Sequence, residues 1–148
     1  TTMNEALEIV NTVLVGITGL LIVLAALSLL VGGVGIMNVM YVSVAERTFE
    51  IGLRKAVGAS EKEILRQFLT EAVVITLIGG IAGIVMGVFV SYIIALGAQF
   101  AGLSWAFEIS LFSVFLSVTF SFFVGLFFGL YPAKKAASLD PILAIMQE

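Results

Sequence analysis

Three long stretches of the chain carry no charged residue: Val13 to Val42, Ala72 to Phe107 and Ile109 to Ala133. The first holds 30 residues. As a helix it reaches about 45 Å, against ~30 Å of bilayer hydrocarbon, so it tilts or extends past the bilayer. The second predicts a span from Ala72 to near Ala95, followed by a short loop. The third predicts a span near Leu111 to Leu130, ended by Pro132 close to the membrane surface, because proline removes a helical N–H and clashes with the preceding turn.

Between the first two stretches the pattern changes. On a helix over 45–57, Phe49, Leu53, Ala56 and Val57 fall at i, i+4, i+7 and i+8, one apolar stripe. Glu46, Arg47, Glu50, Arg54 and Lys55 occupy the rest. Glu50 precedes Arg54 by four, the favourable order, worth ~0.2–0.5 kcal/mol. Gly52 costs ~1 kcal/mol inside such a helix, and close approach of another backbone is one use for it. Gly58 suits the helix C-terminus. Ser60 and Glu63 form a capping box for a second helix that runs on into the next span. Near the chain's end, Asp140 as N-cap and Pro141 at the first helical position predict a short terminal helix. Its apolar face holds Ile142, Ile145 and Met146.

Composition turns these stretches into membrane spans. Of 148 residues, 61% are hydrophobic and 11% charged, and the mean hydropathy is +1.20. Soluble domains average about 45–50% apolar and about 25% charged. The predicted fold class is therefore all-α: a polytopic membrane protein with three transmembrane helices and an amphipathic helix between the first two. Its divisions are an outer extension at 1–12, a span at 13–42, the amphipathic helix and connector at 43–71, a span at 72–96, an outer loop at 97–110, a span at 111–131 and a tail at 132–148.

Charge then orients the chain. Glu46 to Glu71 holds five of the seven basic residues and five of the ten acids. The other two basic residues are Lys134 and Lys135. All seven lie on one side of the predicted spans, which the positive-inside rule makes cytoplasmic. The N-terminus and the loop from Gly97 to Glu108 then face outward, with Trp105 as an interfacial anchor. The expected location is the cell inner or plasma membrane. A net charge of −3 gives no sign of nucleic acid.

Histidine and cysteine are absent, which removes disulfides, thiol nucleophiles, imidazole bases and the usual zinc ligands. The 148 residues hold no G-x-x-x-x-G-K-[ST] phosphate loop, so no enzyme activity is expected of them. Gly79, Gly83 and Gly87 repeat every four residues, with Gly80 adjacent, and Gly125 and Gly129 do the same in the third span. Both rows predict faces small enough for close helix packing. Gly32, Gly33 and Gly35, followed by Asn38, offer a bend in the first span. Glu71, at a span boundary, has Arg66 or Arg47 as possible partners. From the residues alone, the amphipathic helix is either a solvated connector or a partner-docking element.

The segment "LLVGGVGIMNVMYVSVAERTFEIGLRKAVGAS" (Leu29 to Ser60) resembles the signature of MacB-type ABC transporter permeases, in the wider FtsX-like family. "ILRQFLTEAVVITLIGGIAGIVMG" (Ile64 to Gly87) continues the resemblance, and "GLYPAKKAASLDPILAIMQE" (Gly129 to Glu148) is similar to the family's C-terminal signature. The resemblance implies that the amphipathic helix is a cytoplasmic coupling helix that docks on an ABC ATPase. It places Glu46, Arg47, Glu50, Gly52, Arg54, Lys55 and Gly58 at or near that contact. It implies two permease copies with two ATPase subunits, ATP and Mg held by the ATPase and no cofactor on this chain. ATP hydrolysis then drives extracytoplasmic export or extraction of a drug, peptide or lipoprotein by mechanotransmission. The family has four spans, with a large extracytoplasmic domain after the first. This sequence matches the second to fourth, so a missing first span and outer domain are expected partners. The alternatives are an FtsX-like regulator of cell-wall hydrolases that transports nothing, and a membrane scaffold without an ATPase.

Overall fold

A computed structural model describes residues 2–103 and 107–145. Trp105 and Met146 lie outside the described residues. The fold is all-α, with no strand among the described residues. Five helices follow in order: α1 (Met3–Glu46), α2 (Thr48–Ala56), α3 (Glu61–Phe100), α4 (Leu111–Ala137) and α5 (Pro141–Ile145). α1, α3 and α4 are each long and apolar enough to cross a membrane. At 44, 40 and 27 residues they exceed the ~20 that a crossing takes. The glycines near residue 33 do not interrupt α1, and no loop follows Ala95, because α3 runs on to Phe100.

The chain divides into two units, 1–35 and 36–148. In the first, every described residue except Gly33 is exposed. Two of its hydroxyls are satisfied locally: Thr12 Oγ1 donates to the Glu8 carbonyl and Thr18 Oγ1 to that of Leu14, both at 2.8 Å. This back-bonding lets a threonine sit in an apolar helix without an orphan donor.

The second unit is organised by the antiparallel pair α3 and α4. Ala72, Thr76 and Gly80 on α3 face Gly129, Gly125 and Ser121 on α4, respectively. A Cβ added at Gly125 would sit 2.8 Å from Val73 Cα, and one at Gly80 would sit 2.8 Å from Ser121 Cβ. At Gly129 it would collide with Ala72 Cβ. These small residues let the two backbones approach, which favours association in lipid through dispersion contact. Thr76 keeps its hydroxyl on the Val73 carbonyl at 2.9 Å.

The seam uses Gly125 and Gly129 as the sequence predicts, but on α3 it uses a different register. A Cβ at Gly79, Gly83 or Gly87 meets nothing within 4 Å among the described residues. Gly83 and Gly87, with Gly80, Ser91, Ser113 and Ser117, line an open groove where α3 and α4 diverge. A four-residue repeat drifts around a 3.6-residue helix. That periodicity alone cannot say which of two adjacent glycines faces the neighbour.

The best-packed region lies at the other end of the pair. Met40 and Val44 of α1, Ile51 of α2, Ile64, Phe68 and Ala72 of α3, and Ala133, Ala136 and Ala137 of α4 form one buried cluster. Pro132 is buried beside these alanines and does not end α4. The helix continues five residues to Ala137. Interior proline costs ~3 kcal/mol, and burial of the alanine face beyond it offsets that cost.

Candidate functional site

The chain turns from α1 into α2 through a single residue, Arg47. No side chain caps α2. Instead Thr48 Oγ1 donates back to the carbonyls of Val44 and Ala45, at 3.0 and 2.9 Å, and ties the two helices together. Glu50 lies in the first turn of α2 and Arg54 and Lys55 in the last, each sign matched to the helix dipole.

At its C-terminus α2 closes in a Schellman motif. The Ala59 N–H reaches the Arg54 carbonyl at 2.9 Å, and the Gly58 N–H reaches that of Lys55 at 3.1 Å. Gly58 sits at φ +109°, a conformation that glycine adopts readily. Ser60 then opens α3. Its hydroxyl accepts from the Glu63 N–H at 3.3 Å, and the Glu63 carboxylate accepts from the Ser60 N–H at 2.8 Å. The Ser60 hydroxyl also donates to the Glu63 carboxylate at 2.9 Å, and the backbone and side-chain donors of Ser60 together hold the Glu63 carboxyl below its ordinary titration range. The capping box expected from the sequence is therefore complete.

Three side chains fix α2 to the rest of the unit. Arg47 Nη1 donates to Glu71 Oε2 of α3 at 3.3 Å. Arg54 Nη1 donates to Gln67 Oε1, one turn away on α3, at 2.7 Å, and its other amine pairs with Glu50. Lys55 points the opposite way, towards the end of α4. Its Nζ donates to the carbonyls of Ala137 and Leu139, at 2.8 and 2.7 Å, and stands 3.7 Å from Glu61. The Arg47–Glu71 pair is partly exposed and worth only about 0–1 kcal/mol. The Lys55 bonds are the less solvated ones, because its side chain is 11% exposed.

This geometry sorts the seven residues that the sequence reading places at a partner contact. Glu46, Arg47, Glu50, Arg54 and Gly58 are exposed. Gly52 is buried, and α2 packs against α5. Gly52 and Lys55 are thus taken up by the chain's own packing and do not stand on the open face of α2, because the helix turns Ile51, Gly52 and Lys55 inward. The stripe picked out by periodicity points the other way. Phe49, Leu53 and Val57 are 48, 50 and 81% exposed, and Ala56 is exposed as well.

On α5, Asp140 Oδ1 caps the Ile142 N–H at 2.8 Å. Ala144 is buried, while Ile142 and Leu143 are exposed. Gln67 and the cap made by Lys55 were not legible in the sequence, since both depend on which helices meet. Among the described residues, no group of three or more Asp or Glu side chains is placed to hold a metal ion.

The profile of the FtsX-like permease C-terminal family matches residues 10–141. The macrolide export ATP-binding/permease protein MacB of Bdellovibrio bacteriovorus is 47% identical over 146 residues, covering 99% of this chain and 22% of that protein. MacB of Chlorobaculum tepidum is 57% identical over 114 residues, covering 77% of this chain and 17% of that protein. The pyoverdine export ATP-binding/permease protein PvdT of Pseudomonas syringae pv. tomato is 46% identical over 125 residues, covering 84% and 18%. The chain thus spans about a fifth of the length of these curated relatives.

Proposed function

The chain belongs to the FtsX-like permease family, and from that premise we propose that it is the membrane part of an ABC transporter in which α2 receives the stroke of a cytoplasmic ATPase. The names of the relatives join an ATP-binding part to a permease part, and this chain corresponds to a permease portion. ATP and Mg are then held by the ATPase, on another chain or another domain, and none of this chain's residues takes part in hydrolysis. The side bearing all seven basic residues faces the cytoplasm.

The observation that carries the reading is the apolar stripe Phe49, Leu53 and Val57, exposed on a helix anchored to α3 and α4. The stripe lies at the end of the α3–α4 pair that carries the charged residues, outside the predicted hydrocarbon. A helix presenting large apolar side chains at spacings of four matches the helix-in-groove mode of protein recognition. Its anchoring means that a push on α2 moves the base of the bundle. The work delivered outside the membrane is export or extraction, with a drug, a peptide or a lipoprotein as the class of cargo. A pair of permease copies supplies the symmetry that a pair of ATPases needs.

The test is Leu53→Asp in the native assembly, followed by gentle detergent purification. The expected result is a chain that still inserts in the membrane but no longer retains an ABC ATPase, whereas the unaltered chain does. Equal ATPase recovery from both would overturn the docking surface.

A further inference from the structure

The C-terminus of α4 poses an accounting problem, because its last four carbonyls have no acceptor role inside the helix. Three find donors close by in sequence. The Lys134 carbonyl takes the Ser138 N–H at 3.0 Å and the Ala136 carbonyl the Leu139 N–H at 3.4 Å. The Lys135 carbonyl takes the Ser138 hydroxyl at 3.1 Å. The fourth, Ala137, takes Lys55 Nζ from α2, 82 residues away in sequence, at 2.8 Å. The same ammonium bonds the Leu139 carbonyl just beyond the helix, at 2.7 Å. A cation at this position also meets the negative end of the helix dipole.

We infer that Lys55 is a positioning residue that joins α2 to the end of α4, so that force applied to α2 enters the membrane through α4 as well as through α1. The consequence for force transmission rests on the ATPase-docking function proposed above; the clamp itself does not. α2 is linked to α1 by the chain and by the Thr48 hydroxyl, to α3 by two arginines, and to α4 by Lys55. Losing the Lys55 bonds uncovers the Ala137 carbonyl in a poorly solvated place and frees α2 to swing about its arginine ties. Packing of α5 on α2 closes the same junction from the tail side.

The experiment uses the assembled complex in lipid nanodiscs. The chain has no native cysteine, so spin labels at Ala56→Cys and Lys134→Cys, diluted with unlabelled chain, report the α2–α4 distance within one copy, while ATPase retention and stimulation are read on the unlabelled variants. In the parent chain the distribution should be single and narrow. Lys55→Met should broaden it, retain the ATPase, and lose the stimulation of ATP hydrolysis that the permease confers. Lys55→Arg, which still donates two bonds, should restore both. Lys55→Gln should give an intermediate distribution and serves if the methionine variant does not fold. Glu61→Gln, which removes only the distant ion pair, should change neither. A narrow distribution in Lys55→Met would overturn the clamp. A broad one with stimulation intact would overturn the α4 route. Absence of ATPase from the parent complex would sink the docking reading instead, and the distance comparison would still decide the clamp.

Discussion

A side chain at residue 58 would have to hold φ near +109°, which costs roughly 1–2 kcal/mol for an L-residue. Gly58→Ala should therefore lower the thermal stability of the purified chain by about that amount. The whole effect would come from the backbone, since nothing lies within 4 Å of the Cβ it would add. An unchanged melting temperature would mean that the Schellman turn is not formed in lipid. Two residues on, Ser60 holds the Glu63 carboxyl below its ordinary range. A depressed folded value means that the carboxylate's contribution is present above the unfolded range and is lost as pH falls through the folded value. The first turn of α3 should thus open as the medium is acidified below the usual carboxylate range. Amide exchange at residues 61–64 checks this, and Glu63→Ala should remove the dependence.

Among the helices, the α3–α4 seam sets the strictest demand. Gly125→Val puts branched carbon against the backbone at Val73, 2.8 Å from where a Cβ would lie, and no rotamer avoids it. It should separate α3 from α4 and cost about 1–3 kcal/mol or more, the usual range for overpacking. Gly83→Val, facing an open groove, should cost far less. Cross-linking yield between cysteines at Ala72 and Gly129's neighbour Phe128 gives the comparison, and equal loss in both variants would contradict the register. This pair also marks what the sequence could convey. Capping residues act over three or four positions, so Ser60, Glu63, Asp140 and Gly58 were legible. The small-residue faces were visible as well. Which glycine meets which partner depends on the rotation of one helix about its axis, and a row of adjacent glycines leaves that undetermined. Pro132 misled for the same reason: its local penalty is fixed, while the burial that outweighs it comes from α1 and α3.

For the whole molecule, sidedness is the property on which every coupling argument depends. It is read from the sequence alone, because helices carry no label for the side of the membrane they face. Basic residues near span ends resist translocation, and here none of the seven would need to cross. The charged segment also holds Ile64 and Phe68 of the buried cluster and the ties that anchor α2. Inverting the chain would place the exposed apolar stripe of α2, together with the best-packed region, outside the cell, where no ATP is available to drive the motor proposed above. In intact cells, a membrane-impermeant maleimide should therefore label Ala101→Cys readily and leave Lys62→Cys unmodified until the membrane is opened. Four of the five basic residues of the charged segment remain in the second variant, so the substitution itself should not reverse the chain. Labelling of Lys62→Cys in intact cells, with Ala101→Cys protected, would overturn both the orientation and the placement of α2 against a cytoplasmic motor.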